Sequence, residues 1–174
     1  MTEAKVVVLA MLDLTALLHT ENDAPRLGRC LETLYPCDHI LIIDRNSQDA
    51  TVHIAREYGA QIIIPNSGTN PDHYARSATP GWILALDPRE SLTESLAATL
   101  FELKEEWKQA RSTPFSISSY SVFLREETAD GWAEIPAPQT RLVPHTWNRW
   151  NARLPVNDPS AVPLKGELLH FAFP

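Results

Sequence analysis

Three polar clusters stand where short apolar runs end. Thr20-Glu21-Asn22-Asp23 follows Leu14 to His19, Asp44-Arg45-Asn46-Ser47-Gln48-Asp49 follows Ile40 to Ile43, and Asp87-Pro88-Arg89-Glu90 follows Trp82 to Leu86. Taken singly, each reads as a helix cap or a loop acid. Their recurrence argues for more. If the runs are parallel strands, all three clusters fall on one edge of a sheet, and ligands of open α/β sheets gather beyond the carboxyl ends of the strands. Other chemistries find no support. No GxGxxG follows the first run, no phosphate-loop lysine motif occurs, and a nucleophile-elbow pentapeptide is missing. The six histidines, His19, His39, His53, His73, His145 and His170, contain no HExxH, and Cys30 and Cys37 cannot form a zinc cluster of their own.

The elements that must position these clusters follow from periodicity. Leu27, Leu31 and Leu34 recur at helical spacing after Asp23, a candidate cap, and Pro25, which a first turn tolerates. This helix ends before Pro36. A short helix with Val52, Ala55 and Tyr58 along one side leads to Gly59, placed where a left-handed residue is wanted, and Gln61 to Ile64 reads as a third strand. The polar stretch from Pro65 to Pro80 reads as loop with one helical turn around His73 to Ser77. Ser91 and Glu94 have capping-box spacing and predict a helix from Leu92 to Ala110, with Leu96, Leu100, Leu103 and Trp107 turned inward. Strand character returns from Phe115 to Leu124, where Tyr120, Val122 and Leu124 alternate with polar residues. Beyond Arg125 the periodicity is weak, apart from a short strand candidate at Glu167 to Phe171. Strands alternating with helices predict an α/β fold, a mostly parallel open sheet with helices on both faces.

The 174 residues suit one domain, spanning 1–174, and 44% apolar with 21% charged residues is ordinary globular composition. A formal net charge of -7 argues against nucleic acid or anionic lipid as whole-surface partners. Two cysteines make no disulfide framework. The N-terminal apolar stretch is broken by Asp13 and lacks a small-residue cleavage site, so neither a signal peptide nor a transmembrane segment is expected and the location expected is cytoplasmic.

The clusters also carry a resemblance. Thr20-Glu21-Asn22-Asp23 followed by Cys30-Leu31-Glu32-Thr33-Leu34, the stretch Ile42 to Val52 with Ala55 to Ala60 after it, and Gly81 to Glu90 together resemble the family 2 glycosyltransferases of GT-A type, in particular their bacterial β-1,4-glucosyltransferase-like branch. Arg141-Leu142 and Gly166 to Phe171 are weaker echoes of that branch. The resemblance implies a GT-A-like nucleotide-diphospho-sugar transferase fold, with residues 12–110 as the nucleotide-binding part and 111–174 as a shortened acceptor-side part. The implied activity is inverting transfer of a sugar from a nucleotide sugar, a UDP-sugar first, to a hydroxyl acceptor.

Site residues carry over one by one. The family's first element and strand-end acid bind base and ribose, which implies nucleotide contacts for Thr20, Glu21 and Asp44. Its Asp-x-Asp holds Mn2+ or Mg2+ on the diphosphate, and here Asp87 stands at the first position while Arg89 replaces the second. A guanidinium pairs with phosphate but cannot ligate a metal. Arg89 therefore reads either as a cation in the metal's place, binding nucleotide, or as the mark of a decayed site in which it faces solvent or pairs with Glu90 or Glu94. His170 is the late histidine that would complete a metal set with Asp87, and it also reads as a satisfied structural histidine. Asp158, in Asn157-Asp158-Pro159 where the branch has a His-Glu pair, and Glu134 are the acids of a type to deprotonate an acceptor. Both also read as solvated loop residues. Trp132, Trp147 and Trp150 could stack on an acceptor sugar or simply pack, and the turn Gly68-Thr69-Asn70 could lie over the nucleotide or merely connect. Two other functions stay open, a non-catalytic nucleotide-binding or interaction protein and a nucleotidyltransferase.

Overall fold

A computed structural model describes residues 13–68, 74–110 and 117–174. The first apolar run forms β1 (Asp13–Thr20), followed by α1 (Ala24–Glu32), β2 (His39–Asp44), α2 (Thr51–Glu57), β3 (Gln61–Ile63) and β4 (Gly81–Leu86). Then come β5 (Glu90–Leu92), α3 (Glu94–Gln109), β6 (Tyr120–Thr128), β7 (Gly131–Glu134), β8 (Gln139–Pro144), β9 (Trp150–Asn151), β10 (Leu154–Pro155) and β11 (Val162–His170). A helical turn includes Tyr74 and Ala75, while His73, Thr69, Asn70 and Phe115 lie outside the described residues.

One nine-stranded sheet runs in the order β3-β2-β1-β4-β8-β6-β11-β5, with β7 also paired to β6. The strands β3, β2, β1 and β4 are parallel, as alternating strands and helices lead one to expect. Beyond β4 the sheet is mixed. Antiparallel β8 joins β4 to β6, β11 lies parallel to β6, and β5 closes the order antiparallel to β11. Residues from β6 to β11 thus continue the sheet begun by β1 to β4.

Alternation along the strands divides the core into two faces. Leu14, Ala16 and Leu18 of β1 pack with residues of α1, α2 and α3. The opposite face, with Leu17, Leu41, Ile43 and Ile83, is covered by Tyr74, Ala75, Ala78 and Trp147. The helices α1, α2 and α3 pack on the first face, and the helical turn of Tyr74 and Ala75 packs on the second. Leu96, Leu100, Leu103 and Trp107 do form the inward stripe of α3, and Trp107 stacks on Trp82 with ring centroids 5.0 Å apart.

Several local expectations are corrected. Asp23 occupies the N-cap position of α1, but its Oδ2 accepts from the Glu21 N–H at 2.8 Å instead of capping the helix. The helix α3 begins at Glu94, capped by Thr93, whose Oγ1 accepts from the Leu96 N–H at 3.2 Å. Ser91 and Leu92 belong to β5, because pairing with Leu169 and Leu168 of β11 satisfies their backbone. The region after Arg125 holds most of the sheet's second half, and β11 begins five residues before the expected strand, at Val162. Its irregular register between Pro163 and Glu167 masks the period of two. Gly166 lies in this bulge at φ +97, where a Cβ would stand 2.3 Å from the Leu96 backbone nitrogen. That close approach lets Thr93 N–H donate to the Glu167 carbonyl at 3.1 Å and ties β11 to the start of α3.

Candidate active site at the carboxyl edge of the sheet

The pairing registers settle which strand ends meet. Thr20 lies opposite Asp44, and Leu18 opposite Leu86, so the clusters after β1, β2 and β4 share the carboxyl edge. Asp44 and Asp87 are on this one edge, as parallel connections require.

The first two clusters are knotted together. Asp44, the strand-end acid implied to contact nucleotide, is only 1% exposed. Its Oδ1 accepts from Thr20 Oγ1 at 2.7 Å and Ser47 Oγ at 2.6 Å, and its Oδ2 from the Ser47 N–H at 2.8 Å. The loops continue the exchange, with the Asn22 N–H donating to Ser47 Oγ and the Gln48 N–H to Asn22 Oδ1, both at 2.8 Å. Asn22 and Asn46 each adopt φ +56, the left-handed conformation that asparagine tolerates better than most residues. Thr20 is fully buried, while Glu21 is exposed with Oε2 3.8 Å from Arg153 Nη2. Asp44 and Thr20 thus shape the edge, and the backbone and side chains of Arg45 and Asn46 face what lies beyond it.

A cavity of about 420 Å³ opens there, lined by His19, Ile43, Arg45, Asn46, Gly68 and Tyr74 among others. Burial lowers the His19 pKa to about 4, and Arg153 and Arg45 push it the same way, so the ring is a neutral donor and acceptor at pH 7. His19 carries no motif in the sequence. The signal that could have found it is its position, the last side chain of β1 on the face opposite Leu18 and Thr20.

At the end of β4, Arg89 folds back onto Asp87. Arg89 Nε lies 3.0 Å from Asp87 Oδ1 and Nη2 3.3 Å from Oδ2, and the Arg89 N–H donates to Oδ1 at 2.9 Å. Burial alone would raise the Asp87 pKa, but the bonds and charge of Arg89 outweigh it and hold the carboxyl below its usual value. Arg89 pairs with Asp87, not with Glu90 or Glu94. Glu90 is instead the centre of a buried ion pair. Its Oε1 accepts from Arg141 Nη2 at 2.7 Å and its Oε2 from Arg141 Nη1 at 2.8 Å and from the Asp87 N–H at 2.9 Å. Burial works against its ionisation, but His170 and Arg141 outweigh that and keep it a carboxylate. Arg141 also donates to the Ala85 carbonyl, so this pair fixes the end of β4 and the turn carrying Asp87 and Arg89.

This donor set does not fit a divalent cation as arranged. Asp87 directs both oxygens at a guanidinium, His170 Nδ1 lies 3.5 Å from Glu90 Oε1, and no group of three metal-ligating side chains lies together among the described residues. A hard cation wants several oxygen ligands, and here one carboxylate is already neutralised.

The two acids expected to serve as base stand elsewhere. Asp158 accepts from Ser160 Oγ at 2.7 Å, the Ser160 N–H at 3.0 Å and Ser119 Oγ at 2.8 Å, and Arg149 Nη2 lies 3.3 Å away. The Ser160 hydroxyl and N–H, followed by the Ser119 hydroxyl, hold its pKa far below the ordinary range, so it is a poor proton acceptor. Glu134 lies opposite Arg125 in the β6–β7 ladder, one residue out of phase with the positions that line the cavity beside Asp87. Of the tryptophans, Trp147 is buried in the core, Trp150 donates its Nε1–H to the Trp147 carbonyl at 3.0 Å, and Trp132 meets Phe171 edge-on.

No protein-family model matches the chain. It is 31% identical over 121 residues to an uncharacterized glycosyltransferase of Rickettsia prowazekii, covering 67% of this chain and 41% of that protein. A second uncharacterized glycosyltransferase, of Rickettsia typhi, is 30% identical over 129 residues, covering 72% of this chain and 44% of the relative. The chain thus spans less than half the length of these relatives. Among solved structures, the crystal structure of S. aureus TarS matches with a TM-score of 0.51 at 13% identity, over 76% of this chain and 28% of TarS. TarS is a glycosyltransferase of GT-A fold, and the likeness is one of fold. None of the helices among the described residues is long and apolar enough to cross a membrane. In sequence the chain is similar to glycosyltransferases, and its fold is GT-A-like.

Proposed function

We propose that the chain binds a nucleotide diphosphate sugar along the carboxyl edge of its sheet and transfers the sugar to a hydroxyl acceptor with inversion. The donor assigned first is a UDP-sugar, in keeping with the resemblance to the β-1,4-glucosyltransferase-like branch. The nucleoside occupies the cavity beside His19, Arg45 and Asn46, and the diphosphate extends toward Arg89. Thr20 and Asp44 act by holding the two loops, and Glu21 stands at the rim. The observation that carries this reading is the clasp of Arg89 on Asp87, which leaves a fixed, partly exposed guanidinium where a departing diphosphate needs positive charge. Preorganised charge of this kind stabilises a leaving group without reorganisation during the reaction. No step in this reading uses a metal.

The saturation of Asp158 and Asp87 favours a second reading, in which the chain binds nucleotide but transfers nothing. One experiment separates the two. Calorimetry with UDP, in a chelator and then in manganese, reports binding, and release of glucose from UDP-glucose reports turnover. Binding with turnover supports the transferase, binding without turnover supports the second reading, and strict manganese dependence refutes charge replacement by Arg89. Absence of both binding and turnover under every condition refutes the proposal.

A further inference from the structure

Inverting transfer needs a group that takes the proton of the acceptor hydroxyl, and the buried acids at this edge, like Asp158 away from it, are committed. Asp44 holds Thr20 and Ser47, Asp87 holds Arg89, Glu90 holds Arg141, and Asp158 is held by serines and Arg149. Glu126 differs. It is an exposed residue of β6 whose side chain has no hydrogen bond or ion pair among the described residues. Free carboxylate lone pairs are the first requirement of a general base.

Its placement meets the second requirement, proximity to the reacting centre. Glu90 lies opposite His170 across β5 and β11, and His170 lies opposite Glu126 across β11 and β6. Residues directly opposite one another share a face of the sheet, so the three form one row. Two strand spacings put the Glu126 backbone about 10 Å from that of Glu90. A single cavity of about 290 Å³ is lined by Glu126, Asp87, Arg89 and His170, with Gln139 and Arg141 beneath. Inverting glycosidases separate their two carboxyl groups by about 6.5–9.5 Å to make room for a nucleophile, and a transferase must likewise fit an acceptor oxygen and a sugar carbon between base and leaving group.

We propose that Glu126 is the general base of the transfer. An acceptor hydroxyl in the cavity passes its proton to the Glu126 carboxylate as its oxygen bonds to the anomeric carbon. The bond from that carbon to the phosphate oxygen breaks on the opposite side. Its electron pair leaves on the nucleoside diphosphate, beside Arg89, and the protonated Glu126 returns its proton to solvent. The assignment rests on the glycosyl-transfer reading, and its test keeps the two apart.

The test uses UDP-glucose with water as the acceptor, UDP as the binding probe, and Glu126→Gln beside Glu134→Gln. Gln keeps the size and removes the basicity of an exposed side chain, so both variants should fold as the parent does by circular dichroism. The expected result is hydrolysis at least 100-fold slower in E126Q, the lower end of the usual contribution of a general base. UDP affinity should stay within twofold of the parent, and E134Q should hydrolyse at the parent rate. A parent that hydrolyses UDP-glucose together with an E126Q variant that matches it overturns the base assignment alone. Loss of UDP binding in E126Q overturns it too, by making Glu126 a donor contact. A parent that binds UDP without hydrolysing UDP-glucose overturns the transfer reading and the base with it.

Discussion

The Arg89 guanidinium grips the Asp87 carboxylate through two nitrogens, Nε at 3.0 Å from Oδ1 and Nη2 at 3.3 Å from Oδ2, across a single intervening proline. Pro88 and the Arg89 N–H bond to Oδ1 limit the ways this turn can rearrange. The cation is therefore fixed in place before any ligand arrives, and its hydrogen bond to Asp87 raises the Arg89 pKa further.

We predict that Arg89→Ala weakens UDP binding by about tenfold or more, the scale of one charge-assisted hydrogen bond to phosphate. A chelator should leave binding by the parent unchanged. Arg89→Asp, which restores two carboxylates, should gain affinity when manganese is added. Calorimetry on the three proteins checks this, and an R89A protein that binds UDP like the parent removes Arg89 from the site.

Asp44→Ala is expected to unfold more readily. It strips three hydrogen bonds from a residue buried where β1 meets β2 and leaves the Thr20 hydroxyl and Ser47 N–H without their acceptor. The cost should be about 3 kcal/mol, with UDP affinity falling as the loops loosen. Urea unfolding measures it. A D44A protein within about 0.5 kcal/mol of the parent, the range of ordinary surface changes, would show that the knot does not hold the edge.

The pair Glu90 and Arg141 is the most buried ion pair described, with side chains 1% and 2% exposed. Replacing Arg141 with Met should cost about 3–5 kcal/mol, because it strands a buried carboxylate. The double change Glu90→Leu with Arg141→Met should recover much of that loss. Denaturation of single and double variants decides the matter, and equal stability of R141M and the parent contradicts it.

His19 makes stability depend on pH. Unfolded, it takes its proton near the ordinary value of 6.5, and folded only near 4. Between those values the unfolded chain binds more protons, so this contribution is complete above about pH 6.5 and is lost as pH falls toward 4. It amounts to up to about 3 kcal/mol. Stability of His19→Gln relative to the parent should therefore improve as pH drops from 6.5 to 4.5, and a constant difference across that range would refute the assignment.

How much of this was legible before the structure depends on distance along the chain. The edge was readable from Thr20, Asp44 and Asp87, because each ends an apolar run and parallel pairing needs nothing more to align them. The role of Asp44 was not, since its partner Thr20 comes from another strand. The helix start was misplaced by two residues at Ser91, because capping-box spacing is local while β5 exists only through a partner far along the chain. Glu126 and His19 have no local signature at all. They matter through what folds beside them, and alternation within one strand cannot show which cavity its exposed face lines.

The position of β11 bears on how the protein comes to exist. It comes latest in sequence among the described strands yet lies inside the sheet, between β6 and β5. A chain leaving the ribosome can assemble β1 to β4 with α1 and α2 early, since every strand of that set has emerged by Leu86. Ser91 and Leu92 must wait, unpaired, until Leu168 and Leu169 emerge. Pairings so distant carry the largest loop-closure cost and form slowly. Until β11 emerges the turn of Asp87 and Arg89 therefore lacks its backing, and the cavity beside His19 can form before the turn proposed to meet the diphosphate is held in place.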